Sequence, residues 1–524
     1  MNAIIMAAGT ASRFAPLSYE KPKGLLRVKG EVLIERQISQ LLEAGIKDII
    51  VVVGYMAEKF MYLIEKYGVR IVLNEDYNRY NNTSSLIRII DELGDTYICS
   101  SDNYFPKNVF VDKPKESYYS ALYADGDTVE YCLTIDSDDN IIDVNIGGHS
   151  CWYMLGHVFL NIEFSEKFRE IMKREYEKTE IKKAYWEDVY VKHIKELPTL
   201  KIRRFQQHEI EEFDSLEDLR RFDETYVNDT GCVMFKNICH ILHCEERDIL
   251  EIDVLKKGMT NCSFAFTCRK DYCRYVYRHP GTGTEKFIDR TNECHSLQIA
   301  KEFGLDKTYI YMHPLEGWKI SRYIDHSESL NALTIQHPDN LNKIAKIYQV
   351  MHQLPVQMSK EFNIFREIEK YDELISVIGT SMYDGWDSLR SQVMSLEDQL
   401  RKIGLRLCPC HNDAVAENFL KGPDGTISLI DWEYSGMNDP MADFAALFLE
   451  NDIKPKCQEY FLSQYFNGVI PHKEYEKIKY FEVLWDFLWA QWTVIKEASG
   501  EDFGTYGLDR YRRGQVNLKI LIDL

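Results

Sequence analysis

The stretch from His411 to Asp443 constrains the fold of this chain more than any other stretch. It reads HNDAVAENFLKGPDGTISLIDWEYSGMNDPMAD, in which Asn418 follows closely after Asp413. A Gly-Pro-Asp-Gly turn then leads into an apolar strand that ends on Asp431. Such a hairpin would bring Asn418 and Asp431, which both offer oxygen ligands to Mg²⁺, to neighbouring strand ends beside Asp413. These groups are typical of phosphoryl transfer, in which a protein positions reactants and neutralises charge.

Length and charge limit what the whole chain can be. With 524 residues it is too long for one ordinary domain, so two or three domains are expected. The net charge of -20 argues against nucleic acid or an anionic membrane surface as a partner. No uncharged apolar run reaches transmembrane length, the N-terminus lacks a signal-peptide pattern, and the 13 cysteines form no regular framework. We therefore expect a cytoplasmic protein without stable membrane insertion.

The first hundred residues alternate apolar strands with amphipathic helices, which predicts an α/β domain with a largely parallel sheet. The predicted elements are strands at Asn2–Ala7, Asp48–Val53, Arg70–Leu73 and Thr96–Ser100, and helices at Leu33–Ala44 and Glu58–Tyr67. Asp102 follows the last of these strands. Because ligands bind at the carboxyl ends of strands in such sheets, Asp102 is a candidate metal ligand.

A run of small residues follows the first strand and is closed by Arg13. Small residues let backbone N–H groups approach phosphate oxygens, and an arginine adds charge to the same anion. The small residues are Ala8, Gly9, Thr10, Ala11 and Ser12. Lys23, in the sequence KPKGLL, could reach the same triphosphate. Taken alone, the small-residue run also fits a simple strand-to-helix turn.

Asn82 and Ser84 belong to a polar run that precedes another helix, whose N-terminus would face the nucleotide pocket. Capping of that helix by a hydroxyl is the alternative role for Ser84. Much later, Trp186 precedes an acidic pair that contains Asp188. Trp186 is a candidate for binding a quaternary ammonium group, although core packing is the usual role of such a side chain.

The segments AAGTASRF, KPKGLL, NNTSSL and SDN resemble the nucleoside-triphosphate transferase family, and within it the CTP:phosphocholine cytidylyltransferases, over residues 1–226. The resemblance implies a Rossmann-like nucleotidyltransferase domain in which residues 9–13 and Lys23 bind the triphosphate of CTP. It also implies that Asp102 and Asp188 bind Mg²⁺. The loop departs from the commoner Gly-x-Gly pattern at Ala11.

A charged helix predicted at Ser215–Tyr226 marks the junction between two domains, which we place at residues 1–228 and 229–524. Beyond it, strands at Ile249–Lys256 and Cys262–Thr267 flank a turn that could cover ATP phosphates. That turn includes Thr260 and Asn261. Residues 232–326 are expected to form an N-lobe and residues 327–524 a C-lobe.

Arg278 lies at the end of a predicted strand, and Glu293 lies on the helix that follows. A basic residue paired with a glutamate in this way orients nucleotide phosphates in kinase-like folds. An ordinary surface ion pair is the alternative. HNDAVAEN with LIDWEY resembles the choline/ethanolamine kinase and aminoglycoside phosphotransferase family over residues 232–524. The resemblance implies a two-lobed α+β protein-kinase-like domain. Within that domain it implies the base Asp413, the Mg²⁺ ligands Asn418 and Asp431, and a structural role for His411.

Three tryptophans near the C-terminus fall on one helical face, at spacings of four and three. They are Trp485, Trp489 and Trp492. Tyr434 follows the predicted metal ligand Asp431 closely and could complete an aromatic cage around a trimethylammonium group. Core packing is the alternative for each ring, and an aminoglycoside site would be richer in acids. The cluster favours choline.

The two halves fit one pathway. A kinase would convert choline and ATP to phosphocholine, and a cytidylyltransferase would combine phosphocholine with CTP to give CDP-choline and pyrophosphate, with Mg²⁺ in both domains. Small molecules are the expected partners. Two alternatives remain open: the same fusion acting on ethanolamine or another amino alcohol, and a sugar-1-phosphate nucleotidyltransferase fused to a small-molecule kinase.

Overall fold

The computed structural model describes residues 1–256, 261–281, 284 and 287–523, which form two compact units, Met1–Lys257 and Gly258–Leu524. The predicted junction at residue 228 lies before this division. Helix Val233–Leu242 packs with the first unit because the Glu20 carboxylate accepts backbone N–H groups from the first turn of this helix. Where one functional domain ends and the next begins stays a prediction.

A sheet of nine strands, counted in the described part of the chain, organises the first unit. Strand Asn2–Ala7 lies inside it and pairs in parallel with Asp48–Val53 and Thr96–Ser100. Alternate residues of these apolar strands face opposite sides, so Ile4 and Ile5 belong to two different hydrophobic cores. Parallel pairing brings the carboxyl ends of the three strands to one edge, where the first candidate site lies.

The first unit contains the following strands and helices. Its strands are Asn2–Ala7, Arg27–Val28, Glu31–Val32, Asp48–Val53, Arg70–Leu73, Thr96–Ser100, Asn103–Tyr104, Tyr118–Tyr123, Asp127–Ile135, Ile141–His149, Trp152–Leu160, Lys201–Arg204, Glu211–Glu212 and Ile249–Lys256. Its α-helices are Leu17–Glu20, Leu33–Glu43, Tyr62–Tyr67, Thr83–Ile87, Ile162–Glu175, Thr179–Lys182, Trp186–His193, Leu216–Phe222, Thr225–Asn228 and Val233–Leu242.

The second unit has a strand-rich lobe and a helical lobe. Its strands are Asn261–Cys268, Cys273–Pro280, Tyr309–Met312, Lys319–Arg322, Glu328–Ser329, Cys408–Cys410, Phe419–Lys421, Ile427–Leu429 and Gly436–Asn438. Its α-helices are Arg290–Glu302, Pro338–His352, Ile364–Ile378, Trp386–Ile403, Pro440–Glu450, Pro455–Tyr465, His472–Ala498 and Tyr506–Asp523. This is the two-lobed α+β architecture that the sequence predicts.

Helix His472–Ala498 is the centre of the helical lobe. Most of its residues from 477 to 496 are buried on every side, since Ile364–Ile378, Pro440–Glu450 and Tyr506–Asp523 pack around it. Among the residues that the structure describes, no helix is long and apolar enough to cross a membrane.

Most predicted elements are confirmed, and two are wrong in detail. The helix expected over Glu58–Tyr67 is a 3-10 helix, Ala57–Phe60, followed by the α-helix Tyr62–Tyr67. The charged segment expected as a single helix over Ser215–Tyr226 forms two helices, Leu216–Phe222 and Thr225–Asn228. Asp223 separates them because its backbone is extended and its carboxylate accepts the N–H and the hydroxyl of Thr225.

Candidate active sites

The loop after the first strand, which the sequence predicts to bind phosphates, holds an alanine in a conformation that favours glycine. Ala11 has φ 47 and ψ 46, in the left-handed region, and a short 3-10 helix, Ser12–Phe14, follows it. An L-residue costs about 1–2 kcal/mol there. Alanine in place of glycine at this position therefore adds strain to the loop. Arg13 is exposed and lies 3.2 Å from Asp214.

Lys23 and Asp102 meet where the parallel strands end. Lys23 Nζ lies 2.8 Å from Asp102 Oδ2, and the Ser100 hydroxyl donates to Oδ1 at 2.6 Å. Gly24 permits this approach, since a Cβ there would lie 2.9 Å from the side chain of Ser101. Burial alone would raise the pKa of Asp102, but the Lys23 ammonium holds it below its usual value.

More carboxylates surround this pair. Burial and the charge of Asp102 raise the pKa of Glu212 to about 8. Asp188 accepts a hydrogen bond of 2.7 Å from the Tyr131 hydroxyl and caps its own helix through the backbone N–H of Tyr185, at 2.8 Å. Within the described residues no hydrogen bond or ion pair joins Asp102 to Asp188. A metal ion held by both stays a prediction.

Trp186 is only 3% exposed and belongs to a hydrophobic core of the first unit, which is the core-packing alternative that the sequence left open. Its ring stacks on Tyr119, with centroids 6.0 Å apart and planes at 15°. Its backbone N–H donates to Asn82 Oδ1 at 2.7 Å, so Asn82 links two helices. Ser84 is fully buried, and its hydroxyl donates to the Asn81 carbonyl. It therefore caps no helix N-terminus, and its predicted nucleotide contact would require that bond to be exchanged.

In the second unit, the side chain of the predicted base Asp413 faces that of Asn418. Asn418 Nδ2 donates to Asp413 Oδ2 at 3.0 Å and also to the Asp413 backbone carbonyl. Burial, and then the charge of Asp431 and two nearby glutamates, raises the pKa of Asp413 well above its ordinary value. The glutamates are Glu433 and Glu450. This concentration of negative charge would attract a cationic substrate.

Arg278 joins Glu293 in the ion pair that the sequence pattern predicts, and it also lies 2.7 Å from Asp431. Lys319 lies 3.6 Å from both of these carboxylates, so two bases neutralise the predicted metal ligand Asp431. Nucleotide binding by Arg278 and Glu293 stays a prediction. Thr260 and the side chain of Asn261 lie outside the described residues.

His411 packs within the loop that carries Asp413, and its structural role stays a prediction. Its Nε2 lies 3.0 Å from the Ile430 carbonyl, and its ring packs edge-on against Trp432. The Asp443 carboxylate accepts the backbone N–H groups of His411 and Asn412 and pairs with His352 at 3.0 Å. Asn412, with φ 63, is thereby held in a left-handed conformation beside Asp413.

The aromatic residues predicted to bind choline form two layers. Trp489 meets Tyr434 and Trp492 edge-to-face, with centroids 5.4 and 5.9 Å apart. Trp485 stacks behind Trp489 at 5.8 Å, is fully buried, and donates its indole N–H to the Ala442 carbonyl. Trp485 is thus the innermost ring of the group, and choline binding by Trp489, Trp492 and Tyr434 stays a prediction.

The sequence interpretation missed several residues of these sites. Lys319 was detectable as a second base, on the strand that leads to the C-lobe. Glu450 and Glu212 lie far along the chain from the motifs, so only the tertiary structure brings them near Asp413 and Asp102. No local pattern marks such residues.

Comparisons with known proteins address both units. A family model described as MobA-like NTP transferase domain matches residues 3–111, and one described as Choline/ethanolamine kinase matches residues 252–474. Choline-phosphate cytidylyltransferase of Streptococcus pneumoniae is 36% identical over 229 residues, which are 44% of this chain and 100% of that protein. 2-Aminoethylphosphonate cytidylyltransferase of Lancefieldella rimae is 36% identical over 230 residues, 43% of this chain and 93% of that protein. A solved structure, choline kinase LicA from Streptococcus pneumoniae, shares 36% identity, with a TM-score of 0.48 and coverage of 55% of this chain and 98% of that chain.

Proposed function

The chain belongs to the choline-phosphate cytidylyltransferase family through its N-terminal NTP transferase domain, its C-terminal domain matches the choline/ethanolamine kinase family model over residues 252–474, and we propose on that basis that it makes CDP-choline in two steps. One observation carries the proposal. Each unit sets a basic side chain against a carboxylate at the position that the sequence predicts for phosphate binding, Lys23 on Asp102 and Arg278 on Asp431.

In the kinase step, Asp413 accepts the proton of the choline hydroxyl as that oxygen attacks the γ-phosphorus of ATP; the bond from this phosphorus to the bridging oxygen breaks, and ADP leaves. The phosphates draw Arg278 and Lys319 away from Asp431, to which they are paired in the structure. Choline's trimethylammonium group lies against Trp489, Trp492 and Tyr434, while the acidic residues around Asp413 balance its charge.

In the transferase step, a phosphate oxygen of phosphocholine attacks the α-phosphorus of CTP, and pyrophosphate leaves. Lys23 and Arg13 neutralise the charge that develops on the phosphates. No covalent intermediate with the protein is needed. Trp186 stays the candidate for contact with the choline end of the acceptor, but its ring is 3% exposed and stacks on Tyr119 in the core, so this contact would require the core to rearrange.

The donor sets in both units fit Mg²⁺, which prefers carboxylate and amide oxygens. Asp102 and Asp188 would hold it in the first unit, and Asn418 and Asp431 in the second. Mg²⁺ supplies charge neutralisation to the triphosphates when bound. Glu293, Asp431 and Glu433 already place carboxylate oxygens within 4.8 Å of one another, so a cation fits the electrostatics of this region.

Two variants test the proposal by separating the steps. Asp413→Asn should abolish phosphocholine formation from choline and ATP and leave CDP-choline formation from supplied phosphocholine unchanged. Asp102→Asn should do the reverse. Chromatographic quantification of both products in both variants is the measurement. Loss of both activities in each single variant would contradict two independent sites.

A separate observation supports 2-aminoethylphosphonate as a second candidate acceptor in the transferase step. The 2-aminoethylphosphonate cytidylyltransferase is as similar in sequence as the choline-phosphate enzyme, at 36% identity. Its named substrate carries a primary ammonium in place of a trimethylammonium group. Competition between phosphocholine and 2-aminoethylphosphonate for one pool of CTP separates the two candidates.

A further inference from the structure

Two cysteines of the first unit are in contact across neighbouring strands. Cys132 lies in strand Asp127–Ile135, and Cys151 directly precedes strand Trp152–Leu160. Their Sγ atoms are 2.7 Å apart, although the two residues are separated by 19 positions in the chain. A disulfide has a sulfur separation of about 2.05 Å, so a bond between these two thiols requires little further approach.

Gly148 makes room for the two sulfur atoms. A Cβ at this position would lie 2.8 Å from Cys132 Sγ and 3.0 Å from Cys151 Sγ. Both distances are too short for unbonded heavy atoms in a packed protein, so a side chain here would push the sulfurs aside. The contact between the thiols therefore depends on a glycine.

The backbone holds Cys151 in place on both sides. Ser150, which precedes it, has a left-handed backbone with φ 48, and its N–H donates to the Gly126 carbonyl at 2.7 Å. The carbonyl of Cys151 accepts the N–H of Ala124 at 2.9 Å. Cys132 is held by the sheet, in which it is the register partner of Tyr153. Because both backbones are anchored, the thiols are kept in contact by the fold.

The two thiols differ in their access to solvent. Cys132 is 7% exposed, whereas Cys151 is half-buried. Burial raises the pKa of the Cys132 thiol to about 12, so this group is protonated at neutral pH. A thiolate is the reactive form of cysteine, and its reaction requires access to the oxidant. An oxidant in solution therefore reaches Cys151 first, with Cys132 next to it as the second thiol.

We propose that Cys132 and Cys151 form a reversible disulfide when a small-molecule disulfide such as glutathione disulfide accumulates, and that this bond ties two strands of the first unit together. The Cys151 thiolate attacks one sulfur of glutathione disulfide, whose S–S bond breaks and releases one glutathione thiolate. The Cys132 thiol then gives its proton to solvent and its sulfur attacks Cys151 Sγ, which releases the second glutathione thiolate. Two protein thiols are oxidised, and one glutathione disulfide is reduced to two glutathione molecules. The bond forms whether or not the chain makes CDP-choline.

Such a bond would stabilise the part of the sheet next to the first candidate site. Tyr131 precedes Cys132, and its hydroxyl donates to Asp188 at 2.7 Å. A disulfide that closes a loop of this length restricts the unfolded chain. The oxidised first unit should therefore unfold at a temperature about 5 °C or more above that of the reduced unit.

The test treats the full chain with glutathione disulfide, blocks the remaining thiols with iodoacetamide and maps the cysteines by peptide mass spectrometry. Wild-type protein should give a peptide pair that joins Cys132 to Cys151, and dithiothreitol should reverse the link. Cys132→Ala should instead retain one glutathione on Cys151, because the second thiol is missing. Cys151→Ala should leave Cys132 unmodified, because that thiol is buried.

Two further variants separate this pair from general cysteine oxidation. Gly148→Ala keeps both thiols but should form the link about 10-fold more slowly or worse, because its Cβ displaces the sulfurs. Cys244→Ala removes another partly exposed cysteine of the first unit and should behave like the wild type. Calorimetry should show the rise in unfolding temperature in oxidised wild type and in Cys244→Ala, and no rise in Cys151→Ala.

Several results would overturn the proposal. In wild-type protein these are a stable glutathione adduct on Cys151 without the link, a link from either residue to a different cysteine, and two thiols that both stay reduced. An oxidised first unit that unfolds at the same or a lower temperature would reject the stabilising role. An undiminished rate in Gly148→Ala would contradict the dependence on sulfur contact.

Discussion

Replacing Trp489 by leucine in the second unit should weaken choline binding without affecting ATP binding. Trp489 is 8% exposed, with Tyr434 and Trp492 packed edge-to-face against it. One aromatic wall contributes about 1–2 kcal/mol to binding a desolvated trimethylammonium group. The KM for choline should therefore rise about 5- to 30-fold, since each 1.4 kcal/mol is a factor of ten.

Ethanolamine provides the internal comparison. Its primary ammonium can donate hydrogen bonds to carboxylates, so it depends less on an aromatic wall. The KM for ethanolamine should change less than threefold in Trp489→Leu, and the KM for ATP should not change. Steady-state kinetics with the three substrates, measured on the full chain, give these values.

Trp485→Leu is the matched control, one helical turn away. Trp485 is fully buried, and its indole N–H is bonded to the Ala442 carbonyl. The variant should lower the stability of the second unit, because it leaves a cavity and an unpaired carbonyl. Its KM for choline should stay within about twofold of wild type. Equal increases in both variants, or equal effects on choline and ethanolamine, would refute the assignment of Trp489 to the cage.

Three further predictions concern phosphate binding and stability. Lys319→Met should raise the KM for ATP about 10-fold or more, because a charge-assisted hydrogen bond to the nucleotide is lost. The KM for CTP, measured in parallel assays, should stay constant. Lys477→Met should lower the free energy of unfolding of the second unit by about 3–5 kcal/mol, because Asp439, 2.8 Å away and fully buried, loses its charge partner. An unchanged free energy in denaturant unfolding would contradict this. Burial lowers the pKa of His157 to about 3, so the unfolded chain binds a proton at this residue that the folded chain does not. The free energy of unfolding of the first unit should therefore fall by about 1.4 kcal/mol per pH unit below pH 6.5. Thermal melts from pH 7 to 5 should show a weaker dependence of stability on pH in His157→Asn.

The sequence predicts much of this fold because the strands of the first unit have strong local signals. Asn2–Ala7 and Thr96–Ser100 are continuous apolar runs that end in polar loops, and the structure has them with the predicted bounds. Since parallel strands share one edge, the meeting of Lys23 with Asp102 follows from the same pattern. In the second unit, the hairpin between Asn418 and Asp431 follows from the Gly-Pro-Asp-Gly turn.

Helical spacing does not predict which tryptophan of the second unit lies in the inner aromatic layer and which lies in the outer one. Trp485 and Trp489 share a face of one helix, and spacing alone assigns both to a ligand. Helix His472–Ala498 is buried on all sides, so the depth of each ring depends on the helices packed around it and not on its own sequence. The same limit applies to Ser84, a hydroxyl in a polar run that tertiary packing buries completely.

Distant partners lie beyond local patterns altogether. Glu187 belongs to the acidic pair that follows Trp186, but its hydrogen-bond donors are Tyr119 and Asn82, which are far from it in sequence. The clustering of Glu450 with Asp413 likewise requires the helical lobe to fold. Such electrostatic features are properties of the assembled unit.

The most direct test of the two-step account follows phosphorus through a single reaction that contains choline, ATP, CTP and Mg²⁺. The account predicts that phosphocholine rises first and that CDP-choline and pyrophosphate then form as phosphocholine is consumed. Omission of ATP should stop both products, and added phosphocholine should restore CDP-choline without ATP. CDP-choline that fails to form from phosphocholine and CTP, or phosphocholine that fails to form from choline and ATP, would contradict the account.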